Sequence, residues 1–133
     1  MQAQVKWQGD LRFEGSTESG FKIALDGDKQ SAASPMEAIL VAAGSCSSVD
    51  VVSILQKARQ DITDVQVQVT GQRADAVPAV FTDIHLHFVV TGNNVSEKHV
   101  ERAVNLSADK YCSVAIMLSA AVNITHSYAV EQG

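Results

Sequence analysis

Two cysteines are the residues of this sequence best suited to chemistry, because a thiolate is both a nucleophile and a redox centre. Cys46 lies in a run of small residues, Ala42–Ser48, which lets another backbone or a ligand approach closely. The same run suits tight helix packing around an inert thiol, and free cysteine is among the most buried residue types. Taken alone, this segment favours the inert interpretation.

The second cysteine, Cys112, follows Lys110 and Tyr111 and is predicted to lie in the first turn of a short helix. There the free backbone N–H groups, the helix dipole and Lys110 would all favour a thiolate. A small apolar residue that fixes the start of the helix is an equally good interpretation. Two cysteines are too few for a disulfide scaffold, so the pair is inert packing, part of a metal site, or a redox pair.

Asp50 is an acidic residue in an apolar stretch, between Val49 and Val51. It follows Cys46 by four positions and therefore projects from the same helix face. A charge there needs a partner or a raised pKa, so Asp50 either makes a structural contact to another segment or orients a cation in a site. Because a bare carboxylate would raise the pKa of a neighbouring thiol, a reactive Cys46 requires a cation nearby.

The histidines give a weaker signal. His85 and His87 share one face of a predicted strand, but no third ligand follows at a suggestive spacing. His99 and His126 are interpreted as surface residues. The sequence also lacks a phosphate-binding glycine loop and a nucleophile elbow, so we expect neither a metal nor a cofactor.

The elements that must position these residues change character at Ser34. Before it, apolar and polar residues alternate with period two and turn residues intervene, which predicts an antiparallel three-stranded meander. Ser34, Pro35 and Glu37 form a helix start with a capping box, and the helix is predicted to run to about Gln60. It is apolar or small on nearly every face, so we expect a second subunit to cover part of it.

Beyond the helix the period returns to two. Strands are predicted around residues 65–69 and 80–90, a helix from Ser96 to about Ala108, a short helix from about Tyr111 to Ala121, and a last strand from Ile124 to Val130. The order is βββ-α-ββ-α-α-β, an α+β fold with helices on one side of a sheet. The length of 133 residues suits one domain spanning 1–133.

Composition narrows the function classes. The net charge of −5 and the lack of a Lys/Arg cluster argue against nucleic acid or an anionic membrane as a partner. The segment Met1–Asp10 has no apolar core of a signal peptide. The stretch Pro35–Leu55 has nearly the length of a membrane span, but it carries Glu37, Asp50 and several serines. We interpret it as a buried helix and expect a cytoplasmic protein.

Two segments of this sequence resemble the OsmC/Ohr family. The first is similar to that family's central helix and consists of Ser34-Pro35-Met36-Glu37, Ala42-Ala43-Gly44-Ser45-Cys46-Ser47 and Asp50-Val51-Val52-Ser53-Ile54-Leu55. The second is similar to the family's second cysteine segment and consists of Lys110-Tyr111-Cys112-Ser113-Val114. The resemblance implies an OsmC/Ohr-like two-layer fold and an intertwined homodimer with buried central helices. It also implies that Cys46 is the peroxidatic cysteine and Cys112 the resolving cysteine, meeting at the subunit interface.

The family resemblance implies an activity as well. Its characterised members reduce organic hydroperoxides with dithiol or lipoyl reductants, and they use an activating arginine from the N-terminal strands. Arg12 is the arginine available there. The sequence departs from the family in two places. In the family a catalytic glutamate follows the helix-starting proline, whereas this sequence has Met36 there. The "CPYS"-like context of the second cysteine is also missing.

The leading hypothesis is therefore a thiol peroxidase that acts on organic hydroperoxides. Cys46 and Cys112 form its redox pair, Arg12 supplies the cation and Asp50 lies beside the site. The main alternative is a non-catalytic protein of the same fold that holds a hydrophobic small molecule in the interface cleft. The flexible thioether of Met36 suits such a pocket. A structural dimer or a redox sensor is a third interpretation.

Overall fold

The computed structural model describes residues 1–133 and separates into two compact units, Met1–Ile39 and Leu40–Gly133. The prediction of one domain therefore stays a prediction. The elements are β1 (Ala3–Trp7), β2 (Arg12–Thr17), β3 (Lys22–Asp26), α1 (Pro35–Lys57), β4 (Asp61–Arg73), β5 (Phe81–Asn93), α2 (Glu97–Leu106), a π-helical turn (Ser107–Tyr111), α3 (Ser113–Leu118) and β6 (Asn123–Gln132). The predicted element order is confirmed, with the π-helical turn as an addition.

The first unit is built on the predicted antiparallel meander, in which β2 pairs with β1 and with β3. The chain reverses between β1 and β2 at Gly9 and Asp10, whose φ angles of 101° and 49° lie in the left-handed region that glycine and aspartate tolerate best. Large apolar side chains of this unit remain exposed in the single chain: Val5, Trp7, Leu11, Phe21 and Ile23.

A buried carboxylate organises the loop that leads to α1. Asp26 accepts hydrogen bonds from the backbone N–H groups of Asp28, Gln30 and Ser31 and from the Ser31 hydroxyl, at 2.9–3.2 Å. These bonds, that from Asp28 first, lower the pKa of Asp26 because they stabilise the ionised form. The loop is therefore held in place by a single ionised side chain.

The predicted capping box at the start of α1 is confirmed. The Glu37 N–H donates to Ser34 Oγ at 3.1 Å, and the Ser34 N–H donates to Glu37 Oε1 at 2.9 Å. The bond from the Ser34 backbone lowers the pKa of Glu37. At the other end the helix stops at Lys57 rather than at Gln60, because Arg59 adopts a φ of 58°.

The second unit has its own three-stranded sheet, in the order β4-β5-β6. β4 and β5 are antiparallel, whereas β5 and β6 are parallel. The core side of β5 contributes alternate apolar residues that are fully buried: Ile84, Leu86, Phe88 and Val90. The protein therefore has two small sheets where the sequence predicted one.

Helix α1 buries one stripe of residues at helical spacing in this unit, namely Ala43, Gly44, Ser47, Val51 and Leu55. Gly44 permits a close approach to β4, since a Cβ atom there would lie 2.8 Å from Val69 Cγ2. The opposite face exposes Val41 and Val49, at 65% and 68% of their full surface. The helix is also long and apolar enough to span a membrane, and 28% of its most apolar 18-residue stretch is buried in the protein.

The segment after β5 differs most from the predicted boundaries. Ser96 occupies the N-cap position of α2 as predicted, but its side chain makes no capping bond. The helix ends at Leu106, and the π-helical turn closes with a bond from the Cys112 N–H to the Ser107 carbonyl at 2.9 Å. π-Helical turns are rare and occur often at functional sites; this one sets the spacing of Ser107 and Cys112.

Candidate functional site

The two cysteine segments meet in the second unit, where the middle of α1 lies against the start of α3. Ser47 Oγ donates a hydrogen bond to Cys112 Sγ at 3.1 Å, across 65 positions of sequence. Both residues are fully buried, whereas Cys46 is half-buried. The site therefore holds one accessible and one inaccessible thiol.

Cys112 is the N-cap residue of α3. Its sulfur accepts a hydrogen bond from the Ala115 N–H at 3.4 Å, as a side-chain cap does. Burial nevertheless raises the pKa of the Cys112 thiol, and it outweighs the bonds from Ser47 and Ala115 that lower it. The expectation that the helix start would favour a thiolate is wrong in its net effect, because desolvation of a charge in a buried site exceeds a modest dipole.

Cys46 also affects the ionisation of Cys112. Burial is the largest cause of the raised pKa of the Cys112 thiol, and the Cys46 side chain raises that pKa further. Both cysteines are in the free form. At neutral pH the buried Cys112 is therefore a neutral thiol, and Cys46 is the thiol that a molecule from solution can reach.

Asp50 reaches the same region through Ser107. The Ser107 hydroxyl donates to Asp50 Oδ2 at 3.1 Å and lies 3.4 Å from the Ser47 carbonyl oxygen. The interpretation of Asp50 as a contact to another segment fits this bond. Side-chain and backbone groups thus form a continuous polar path from Asp50 through Ser107 and Ser47 to Cys112.

Ser47 and Ser107 are functional candidates that the sequence reasoning missed. The small residues around Cys46 signalled close packing there, but serine among small residues does not reveal a partner 65 positions away. Ser107 carried no signal, because its position depends on a π-helical turn that hydrophobic periodicity does not predict.

A cavity of 510 Å³ is lined in part by Asp50. Two cations line it together with Asp50, namely Lys57 near the end of α1 and Arg102 on α2. The salt bridges of the protein involve none of these three residues. The sequence predicts a cation near Asp50 and Cys46 if Cys46 is reactive, and Lys57 and Arg102 share this cavity with Asp50.

The remaining predicted site residue, Arg12, lies in the first unit, on β2. Its guanidinium donates to the Gln8 carbonyl at 3.4 Å and lies 3.9 Å from the Asp10 carboxylate. These are long contacts, and the side chain is 49% exposed. Its role as the activating cation stays a prediction.

The histidines do not join the cysteines. His85 and His87 both bond to the Ser127 hydroxyl at 2.7 Å, and His85 also bonds to Thr125 at 2.6 Å. No group of three histidine, cysteine, aspartate or glutamate side chains is arranged to hold a metal ion. The interpretation of His126 as a surface residue is corrected by the structure: the residue is half-buried, its ring stacks on Phe88 at 6.4 Å, and its Nε2 is buried without a hydrogen-bond partner.

Sequence comparison assigns the chain to a known family. The sequence model of the OsmC-like protein family matches residues 27–127, and the chain belongs to that family. Protein YhfA of Escherichia coli strain K12 is 56% identical over 131 residues, which cover 98% of each chain. The predicted membership of the OsmC/Ohr family is confirmed, and the identity to YhfA makes the chain a YhfA-like member of it.

Solved structures agree with this assignment. A hypothetical protein from Aquifex aeolicus VF5 is 33% identical with a TM-score of 0.90, over 99% of this chain and 96% of that one. The organic hydroperoxide resistance protein OhrB of Bacillus subtilis is 13% identical with a TM-score of 0.63, over 97% and 98% of the two chains. The predicted α+β, OsmC/Ohr-like fold is therefore confirmed.

Proposed function

We propose that the protein is a thiol peroxidase that reduces organic hydroperoxides through Cys46 and Cys112. The observation that carries the proposal is the pairing of an accessible thiol with a buried thiol whose sulfur accepts a bond from Ser47 at 3.1 Å. The structural likeness to a protein named for organic hydroperoxide resistance supports it. The apolar stretch of α1 around Cys46 favours an organic peroxide over a fully hydrated one.

The first step uses the accessible thiol. The Cys46 thiolate attacks the distal oxygen of the hydroperoxide, the O–O bond breaks, and the alkoxide leaves and takes up a proton as the alcohol. Cys46 is then a sulfenic acid. Burial keeps the neighbouring Cys112 in its thiol form, so it does not compete for the peroxide.

The second step joins the two cysteines. The Cys112 sulfur attacks the sulfenic sulfur of Cys46, water leaves and a disulfide forms. Ser47, which donates to Cys112 Sγ, stabilises the thiolate as the Cys112 proton departs. A small dithiol or lipoyl reductant then exchanges with the disulfide, returns both cysteines to thiols and is itself oxidised to a disulfide.

A peroxide pulse tests the chemistry. After one equivalent of cumene hydroperoxide, the intact mass of the wild type should fall by two hydrogen atoms, and peptide mapping should locate a Cys46–Cys112 disulfide. Cys112→Ser should stop at a sulfenic acid that dimedone traps on Cys46. Cys46→Ser is the matched control and should remain unmodified. An unchanged wild-type thiol count would refute the proposal and leave a binding protein of the same fold.

The proposed site is completed by a homodimer. The exposed apolar residues on α1, Val41 and Val49, are of the kind that subunit interfaces cover. In the dimer, Arg12 of the partner subunit would supply the cation that favours the Cys46 thiolate. Sedimentation equilibrium should give twice the chain mass of 14.2 kDa, and Val49→Glu should give the chain mass. A wild-type protein of single-chain mass at micromolar concentration would exclude the dimer.

The Arg12 assignment has its own test. Arg12→Gln should slow the alkylation of Cys46 by iodoacetamide at pH 7 by about tenfold, the loss expected when one nearby charge no longer favours the thiolate. Arg59→Gln, which removes an arginine elsewhere, should react like the wild type. Equal rates in all three proteins would assign the cation elsewhere. We also propose a cytoplasmic location, where a reducing environment keeps both thiols available.

A further inference from the structure

The cavity beside Asp50 is a second polar site, separate from the cysteine pair. It has a volume of 510 Å³, within the range of small-molecule sites in proteins. Its charged lining consists of Asp50, Lys57 and Arg102. The reactions proposed for Cys46 and Cys112 use none of the cations here.

The charge of the cavity is opposite to that of the protein. Two cations and one carboxylate leave one formal positive charge in the cavity, although the chain carries −5 overall. The Asp50 carboxylate is engaged by the Ser107 hydroxyl at 3.1 Å, while Lys57 and Arg102 form none of the salt bridges in the protein. Two unpaired cations at one cavity are available to an anionic ligand.

The other lining residues define the rest of the ligand. Ile54, Ala58 and Leu106 add apolar surface, and Tyr111 adds an aromatic ring. One net positive charge matches a monoanion, whereas a phosphate dianion would face Asp50 with an excess of negative charge. A ligand with one carboxylate and an aliphatic chain matches both the cationic and the apolar residues of the lining.

We propose that this cavity binds a small aliphatic carboxylate, with its carboxylate between Lys57 and Arg102 and its chain against Ile54 and Leu106. The ligand is adjacent to the polar path from Asp50 through Ser107 and Ser47 to Cys112. The proposal needs no reaction at the cysteines, so it stands or falls separately from the peroxidase function.

Octanoate is a suitable probe, with octanol as its neutral counterpart and inorganic phosphate as the alternative anion. In NMR titrations of the reduced full-length protein, octanoate should produce saturable shifts of the Ile54 and Leu106 methyl groups. The Ser127 amide on β6 should not move. Octanol and phosphate should each bind at least about fivefold more weakly than octanoate, since octanol lacks the negative charge and phosphate lacks the aliphatic chain.

Variants locate the charge recognition. Arg102→Gln and Lys57→Gln should each weaken octanoate binding by about fivefold, the loss expected for a charge-assisted contact in a partly solvated cavity. Lys98→Gln removes the same charge from α2 outside this cavity and should change the affinity by less than about twofold. Cys46→Ser should bind octanoate like the wild type.

Three results would overturn the proposal. They are shifts centred on Val41 and Val49 rather than on Ile54 and Leu106, equal losses in Lys98→Gln and Arg102→Gln, and phosphate binding as tight as octanoate binding. The first would show surfactant-like adsorption to the exposed face of α1. None of these results depends on whether Cys46 reacts with peroxide.

Discussion

The hydroxyl of Ser47 is predicted to control how fast Cys112 closes the disulfide. It donates to Cys112 Sγ at 3.1 Å in a fully buried position and is one of the two bonds that lower the pKa of that thiol against the effect of burial. Ser47→Ala removes this donor and leaves the backbone bond from Ala115. The pKa of Cys112 should therefore rise further, and less thiolate should be present at pH 7.

The magnitude follows from the charge on the sulfur. A hydrogen bond to a charged group contributes about 1.5 kcal/mol at the low end of measured values, and about 1.4 kcal/mol corresponds to a factor of ten in an equilibrium. The thiolate fraction of Cys112, and with it the rate of disulfide closure at pH 7, should fall by about tenfold. The neutral thiol is a weak acceptor, so the free energy of unfolding at pH 7 should change by less than about 1 kcal/mol.

Rapid-quench alkylation measures this rate. Cys46 is first oxidised by one equivalent of hydroperoxide, and free Cys112 is then counted by mass spectrometry as a function of time. Ser48→Ala is the matched control, because it removes a hydroxyl from the next position of α1, where none bonds to Cys112. The difference between Ser47→Ala and wild type should shrink as the pH rises, since Cys112 becomes ionised in both proteins.

Closure of the Ser47→Ala disulfide at the wild-type rate at pH 7 would refute this role of the hydroxyl. A difference in rate that is the same at every pH would refute it too, because the hydroxyl would then act on geometry rather than on ionisation. A loss of the same size in Ser48→Ala would mean that any change to this part of α1 slows closure.

Three further predictions concern stability. Because burial raises the pKa of Cys112, the folded protein holds the thiol proton up to a higher pH than the unfolded chain does. The contribution of Cys112 to the free energy of unfolding should thus be constant below the ordinary thiol pKa of 9.0 and fall as the pH rises above it; urea titrations of wild type and Cys112→Ala should show a smaller fall in the variant. Burial also lowers the pKa of His126 below 6.5, so its ring should titrate below that pH by NMR. The stability linked to it is present above pH 6.5 and is lost as the pH falls towards the folded-state pKa, and His126→Phe should reduce that acid loss. Ser34→Ala should destabilise the protein by about 1 kcal/mol through loss of the α1 cap, whereas Ser45→Ala, at an exposed position, should leave the urea midpoint unchanged.

Local patterns in the sequence were sufficient for most of the elements. Alternation with period two identified the meander of β1 to β3, and the capping box at Ser34 and Glu37 placed the start of α1 at the residue where the structure has it. These signals are reliable because caps and alternation depend on neighbours within a few positions. The ends of elements were less accurate, as at Lys57, where a left-handed residue two positions on stops the helix.

The candidate site divides in the same way. The sequence identified Cys46, Cys112 and Asp50 by residue type and spacing, since a thiol or a lone carboxylate in an apolar helix is visible without coordinates. It placed His126 at the surface. The structure has this ring half-buried against Phe88 of β5, a contact that exists only once β5 and β6 have paired.

Only the tertiary structure decided which cysteine is accessible to solvent and which cysteine thiol has a raised pKa. The free N–H groups and dipole of a helix start, together with Lys110, favoured a thiolate at Cys112, but burial raises its pKa instead, and burial is a property of the whole fold. The bonds of Ser47 and Ser107 likewise join segments that are distant in sequence. The sequence by itself thus determined which reactive groups the protein has, while long-range packing decided their solvation and their partners, because desolvation depends on every element around a group.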